Sequence, residues 1–290
     1  INHIYLQYTT FMKIHVINTG NFKLDGGAMF GVVPKTIWSK TNPADKNNMC
    51  SWSLRCMMVE IEDKKILFDT GIGNKQNEKF FKYFYLHGDD NLLKSLKKIK
   101  LAPKDITHVF FTHLHFDHCG GAIVKDENKS LNIVFKNAIH FTNEIHWKNA
   151  NNPNAREKAS FLKENFSLLQ EKDKINFIKE GELFKNIKVK FFHGHTLGQM
   201  IPFIQYKDKT IVFTSDLLPS IGHIPLPYVM GYDTQPLITL KEKKQFLEEA
   251  AFKNYILFLE HDYDYQCCTV QQTKKGIRVK KFGDLSDFID

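Results

Sequence analysis

A layered α/β fold is predicted by two features of the chain: strand-like and helix-like patterns alternate from Met12 onward, and no large linker or low-complexity tract interrupts them. The length of 290 residues permits one large α/β domain or two small ones, and a hydrophobic fraction of 42% suffices for a core. In chain order, residues 12–17 read as the first strand, with residues 1–11 ahead of it as an N-terminal extension or leader. Residues 57–62 and 65–69 flank the Asp63-Lys64 turn as a hairpin. A helix is expected over 91–99, an apolar β-rich run over 107–112 and a second helix over 155–169. The run 189–192 leads into His193 and His195, and 202–206 with 210–213 form another hairpin around Lys207-Asp208-Lys209. A helix over 240–252 opens on Thr239-Leu240-Lys241-Glu242, which has the form of a capping box. An apolar run, 255–259, and a β-like tail, 270–281, complete the pattern.

The formal charge of +8 raises nucleic acid as a partner, but only Arg55, Arg156 and Arg278 are arginines among the 40 basic residues. The lysine-rich stretches 94–100 and 241–244 are interleaved with leucine, isoleucine or glutamate, so they read as solvated helix faces and no nucleic acid is expected. Five cysteines, Cys50, Cys56, Cys119, Cys267 and Cys268, are odd in number and include a vicinal pair, a poor disulfide framework. A reducing, cytoplasmic setting is the simpler expectation. Residues 1–11 lack a basic stretch followed by an apolar one, and no continuous apolar run is long enough to span a bilayer, so no membrane role is expected.

The chemistry is concentrated in His113-Leu114-His115-Phe116-Asp117-His118, directly behind the apolar run 107–112. At this chain's His and Asp frequencies such a grouping arises by chance in on the order of one sequence in a thousand. A strand sends alternate side chains to one face, so His113 and His115 are expected to point at one ion, and Asp117 and His118, past the strand end, at a second. Two ions need more than four ligands. Three later strand ends can supply them: His193 and His195 after 189–192, Asp216 after 210–213, and His261 after 255–259.

This series, with Gly194-His195-Thr196-Leu197-Gly198 in its middle, resembles the metallo-β-lactamase superfamily of hydrolases. The resemblance implies a four-layer αββα sandwich in which residues 12–290 form a single hydrolase domain, with metal ligands on strand-end loops along one edge. It also implies that His113, His115 and His195 hold one ion, Asp117, His118 and His261 the other, and that Asp216 bridges. Asp69 of Asp69-Thr70-Gly71 matches the carboxylate that orients ligand imidazoles in this family. His193 is then an accessory imidazole and Cys119 a small buried thiol. Two zinc ions per chain are expected from such ligands, with cobalt, manganese or iron as other divalent options.

Within the superfamily, Asp216 rather than cysteine disfavours a true β-lactamase, the short His195 to Asp216 interval disfavours RNA-processing members, and His115 disfavours flavodiiron proteins. The segment 25–35 with Trp38, and the segment 216–233, resemble the apolar substrate loops of lactonases and organophosphate hydrolases. The chain thus looks most like the dizinc N-acyl homoserine lactone lactonases, quorum-quenching enzymes that open the lactone ring with a metal-bridging hydroxide. Met29, Phe30, Trp38 and Tyr228 are expected to contact substrate, with Ile221, Ile224 and Leu226 opposite. Asp117 is expected to pass a proton to the leaving alkoxide. The family's tyrosine after the bridging aspartate is missing here, and His223 is expected in its place, with Tyr228 or Tyr232 as substitutes. A small-molecule substrate is implied and a homodimer left open. A phosphotriester hydrolase, or a thioester hydrolase of the glyoxalase II type, is the alternative.

Overall fold

The computed structural model describes residues 11–289, so the leader expected over 1–11 lies outside the described residues except for Phe11. The strands are β1 (Met12–Asp25), β2 (Met49–Ile61), β3 (Lys64–Phe68), β4 (His108–Phe110), β5 (Ile123–Lys125), β6 (Leu131–Ile133), β7 (Ile139–Thr142) and β8 (Ile175–Phe177). They continue as β9 (Gly181–Phe184), β10 (Ile187–Phe192), β11 (Gln199–Tyr206), β12 (Lys209–Phe213), β13 (Ile256–Phe258), β14 (Cys267–Thr273) and β15 (Gly276–Gly283). One sheet has the order β1-β2-β3-β4-β7-β8, the other β15-β14-β13-β12-β11-β10-β9, and β5-β6 form a small ribbon.

Side-chain alternation explains the layering. Along β2, Met57, Val59 and Ile61 join a core shared with Ile187, Met200, Phe213 and Phe258 of the second sheet. The intervening Cys56 and Met58 face Leu96, Trp147 and Leu169 of the helical layer outside. The second sheet likewise turns Ile201, Val212 and Leu257 toward Phe246, Leu247 and Ala250 of the helix Pro236–Lys253. With both faces of both sheets covered, the strands read as nearly continuous apolar runs, and the result is a four-layer αββα sandwich. Among the described residues no helix is long and apolar enough to cross a membrane, and all five cysteines are free and buried.

Three expectations are corrected. The stretch 155–169 is not one helix but two 3-10 turns, Lys158–Ser160 and Lys163–Asn165, followed by the short helix Ser167–Glu171. The Asn154 side chain accepts from the Arg156 and Glu157 amides, and Glu157 itself turns inward, so local side-chain bonds outcompete the helix. The second correction concerns the helix expected over 240–252. It starts at Pro236, where a missing N–H costs nothing, so Thr239 and Glu242 do not form a cap. Glu242 instead accepts from the His193 and Gly194 amides. Gly194 is required there, since a Cβ would lie 2.3 Å from the Thr239 nitrogen. Finally, β4 ends at Phe110, so strand alternation is not what pairs His113 with His115. The Asp69 carboxylate takes the Thr112 amide at 2.8 Å and its hydroxyl at 2.6 Å, drawing the chain out of the ladder before the motif begins.

Candidate metal centre

Every strand-end loop named above converges on one edge of the sandwich. His115 precedes the short helix Phe116–Cys119, which carries Asp117 and His118 on its turn; His195 follows β10, Asp216 sits in the 3-10 turn Ser215–Leu217 after β12, and His261 follows β13. Asp69 and Ser215 both adopt left-handed backbone, with φ of 58° and 44°, a strained conformation held at the two turns that aim the carboxylates. The potential ligand atoms of His113, His115, His195 and Asp216 all lie within 4.8 Å of one another, as do those of Asp117, His118 and His261.

The hydrogen bonds fix which nitrogen of each ring faces inward. His195 Nδ1–H donates to Asp233 Oδ1 at 2.9 Å, His261 Nδ1–H to the Ser53 carbonyl at 2.8 Å and His118 Nδ1–H to Asp69 Oδ2 at 3.0 Å. His115 Nε2–H donates to Glu157 Oε1 at 3.2 Å and His113 Nδ1–H to the Thr112 hydroxyl at 3.0 Å. In the neutral rings, with each N–H spent outward, five nitrogen lone pairs would face one another. The inner nitrogens of His113 and His115 are 3.0 Å apart, those of His195 and His115 3.2 Å, and those of His118 and His261 3.3 Å. Asp216 Oδ1, buried among them, receives no hydrogen bond among the described residues. Such lone pairs, together with Asp216 and Asp117, leave a cation as the natural occupant, and an imidazole and carboxylate set without thiolate fits zinc and similar divalent ions.

Without ions, protons play that role. Burial alone would lower His195 and His261, but the Asp216 carboxylate overrides it and lifts them to about 10 and about 9. Burial would raise Asp216, yet the surrounding histidines hold it well below the usual carboxylate range. An imidazole must be neutral to ligate, so loading expels these protons, and apparent metal affinity rises with pH until about 9 to 10 and falls as the solution is acidified. Adding zinc to the chelator-stripped protein in weak buffer at pH 7 is expected to release about three protons per chain, from His118, His195 and His261, read with an indicator dye. Zinc uptake without acidification would exclude these histidines as ligands.

The centre forms the floor of a cavity of about 470 Å³ whose wall includes Leu24, Met29, Phe84, Phe116, Met230 and Tyr232, with Arg156 and Ser160 among the polar residues lining it. Of the expected substrate contacts, Met29 lines it and the others do not. Phe30 and Trp38 are buried and stacked on each other at 5.3 Å, and Tyr228 meets Phe30 edge-on at 6.5 Å. His223 is also withdrawn from the cavity. Its Nδ1 meets the Ser220 hydroxyl at 2.8 Å, its Nε2–H donates to the Met29 carbonyl at 2.9 Å, and its ring stacks on Phe30 at 4.5 Å. Burial pushes it down to about 3, so it is a neutral core imidazole joining the segment after Asp216 to the helix Gly26–Phe30. His193 stays outside the cluster and accepts from the Gly198 amide.

The sequence reading passed over Glu157 and Asp233 as partners of His115 and His195. Glu157 is buried, which would raise its carboxyl, but bonds from His115, Thr196 and Asn149 hold it at about 2. His146 was also missed: its Nε2 accepts the Leu114 amide at 2.8 Å and so fixes the loop between the two leading histidines.

The profile of the metallo-beta-lactamase superfamily matches residues 55–261, more than half of the chain and the whole ligand series. The chain belongs to this superfamily. Among superfamily relatives, the N-acyl homoserine lactonase AiiA of Bacillus thuringiensis subsp. kurstaki is 22% identical over 271 residues, covering 89% of this chain and 96% of the relative. A structure described as a probable metal-dependent hydrolase from Staphylococcus aureus superposes with a TM-score of 0.85 at 30% identity, covering 94% of this chain and 96% of that one. The dizinc quorum-quenching lactonase AidC, solved with a product, gives 0.75 at 22% identity over 93% and 94% of the two chains, a likeness that shows the fold.

Proposed function

We propose that this superfamily member is a dinuclear-metal hydrolase that opens the lactone ring of N-acyl homoserine lactones. The observation that carries it is the cavity itself: two candidate ligand trios around Asp216 in an otherwise largely apolar chamber of about 470 Å³. The curated relatives named N-acyl homoserine lactonase, which align over nearly the whole chain, support the same reading. His113, His115 and His195 would hold one ion, Asp117, His118 and His261 the other, with Asp216 shared; zinc fits this set, and the free buried cysteines favour a reducing compartment such as the cytoplasm. When bound, two such ions supply Lewis acidity toward a carbonyl and a water acidified toward neutral pH.

The protein's own groups then divide the remaining work. Asp117 lines the cavity beside Asp216 and can hold the proton that the departing alkoxide needs. Tyr232 replaces His223 as the candidate donor to the carbonyl oxygen. It lines the cavity, and burial together with Asp25, Asp117 and Asp216 pushes its hydroxyl up to about 12, so it keeps its proton at neutral pH. A hydrogen bond that strengthens as the oxyanion forms is worth roughly 1.5–3 kcal/mol, so Tyr232→Phe is expected to lower kcat about 10- to 100-fold with metal content unchanged. Normal turnover in that variant would remove Tyr232 from the reaction. Leu24, Met29, Phe84, Phe116 and Met230 would clasp the acyl chain.

The deciding experiment compares a homoserine lactone series, an aryl phosphotriester and a thioester on the zinc-loaded protein. Lactones should lead by kcat/KM, rising with chain length by up to about fourfold per methylene, the factor for roughly 0.8 kcal/mol of buried CH₂. Faster turnover of the phosphotriester or thioester would reassign the reaction, and a flat chain-length series would place the acyl group in solvent.

A further inference from the structure

One imidazole in the centre faces two carboxylates. His118 Nδ1 lies 3.0 Å from Asp69 Oδ2 and 3.1 Å from Glu260 Oε2, and all three side chains are fully buried. Asp69 is otherwise engaged, since it takes both the amide and the hydroxyl of Thr112. Glu260 receives no hydrogen bond at either oxygen among the described residues. Its backbone is pinned all the same, because the Arg55 amide donates to the Glu260 carbonyl at 3.1 Å and the Arg55 guanidinium to the Leu259 carbonyl at 2.6 Å. A carboxylate buried without donors is costly to keep unless positive charge faces it. Besides the buried Arg55, a place for such charge is across the His118 ring, where Nε2 meets the Asp117 and His261 trio.

The distribution of outer carboxylates makes this position special. Behind the other trio, Glu157 backs His115 and Asp233 backs His195, one carboxylate each, while His113 rests on the Thr112 hydroxyl. Behind the second trio, His261 rests on the neutral Ser53 carbonyl, whereas the His118 ring has two carboxylates behind it, Asp69 and Glu260. Resting on the metal-centre reading above, we propose that Glu260 is a positioning residue that acts through His118 to strengthen the binding of one ion, the one held by Asp117, His118 and His261. The cluster of Asp69, His118 and Glu260 is accordingly not a third metal site, because His118 Nδ1 is spent as a donor to Asp69.

The test is stepwise removal of zinc from the loaded full-length chain by a chelator of known affinity, followed by elemental analysis. In the wild type two ions should leave. In Glu260→Gln, which keeps shape and removes charge, one step should weaken by about 10- to 100-fold, the usual effect of losing an outer partner of a ligand, while the other stays within about threefold. Glu260→Asp, which keeps the charge but draws it back from Nδ1, should weaken the same step by less, and it serves as the measurement if the glutamine variant does not fold. Two unchanged steps in a folded variant, or equal weakening of both, would overturn the role of Glu260. A wild type that binds no zinc would instead overturn the metal-centre reading itself.

Discussion

On the proposed dinuclear site, replacing Asp216 with alanine is expected to cost the protein both ions and nearly all turnover. The carboxylate contacts both trios: Oδ2 lies 3.1 Å from His195 Nε2 and 3.4 Å from His118 Nε2, while Oδ1 lies 3.2 Å from His261 Nε2. Loss of a single histidine would leave one trio whole, whereas loss of Asp216 removes a neighbour from each and exposes five converging lone pairs to one another. In Asp216→Ala, kcat/KM should fall by roughly 10³-fold or more and zinc retention after dialysis should drop at both positions. A variant that retains two ions and ordinary rates would show that Asp216 is shared by neither.

The second large effect is on stability and falls on a residue first expected to touch substrate. Phe30 is fully buried and sandwiched between Trp38, stacked at 5.3 Å, and His223, stacked at 4.5 Å, with Trp52 at 6.1 Å. Phe30→Ala should open a cavity among these rings and destabilise the fold by about 3–5 kcal/mol, measured by denaturant unfolding of the metal-loaded protein. Because the ring is set back from the chamber, the dependence of rate on acyl length should survive in whatever fraction stays folded. Intact stability combined with a selective loss of long-chain lactones would return Phe30 to the substrate wall.

What could be read from the amino-acid sequence was the chemistry written locally. His113, His115, Asp117 and His118 stand together, and His195, Asp216 and His261 each follow an apolar strand, so the structure brings all seven to one edge. Their supports were not legible, because Glu157, Asp233 and Glu260 reach His115, His195 and His118 from other segments and carry no short-range pattern. The stretch 155–169 shows the same blindness: apolar Phe161, Phe166 and Leu169 suggest a helix, but the inward turn of Glu157 is a tertiary demand. Apolar residues near a binding loop are ambiguous for a related reason. Met29 and Phe30 are neighbours of similar character, and only packing decides that the first meets the cavity while the second is locked behind it.

The ligands also appear in a fixed order during translation. His113 to His118 emerge with the first sheet, whereas His195, Asp216 and His261 belong to loops of the second. At typical synthesis rates the interval between His118 and His261 is on the order of ten seconds. Early in that interval, before His195 emerges, the nascent chain displays three imidazoles and a carboxylate, a partial set of the proposed ligands. On the proposed ligand set, the position formed by Asp117, His118 and His261 would be completed only when β13 docks and His261 arrives.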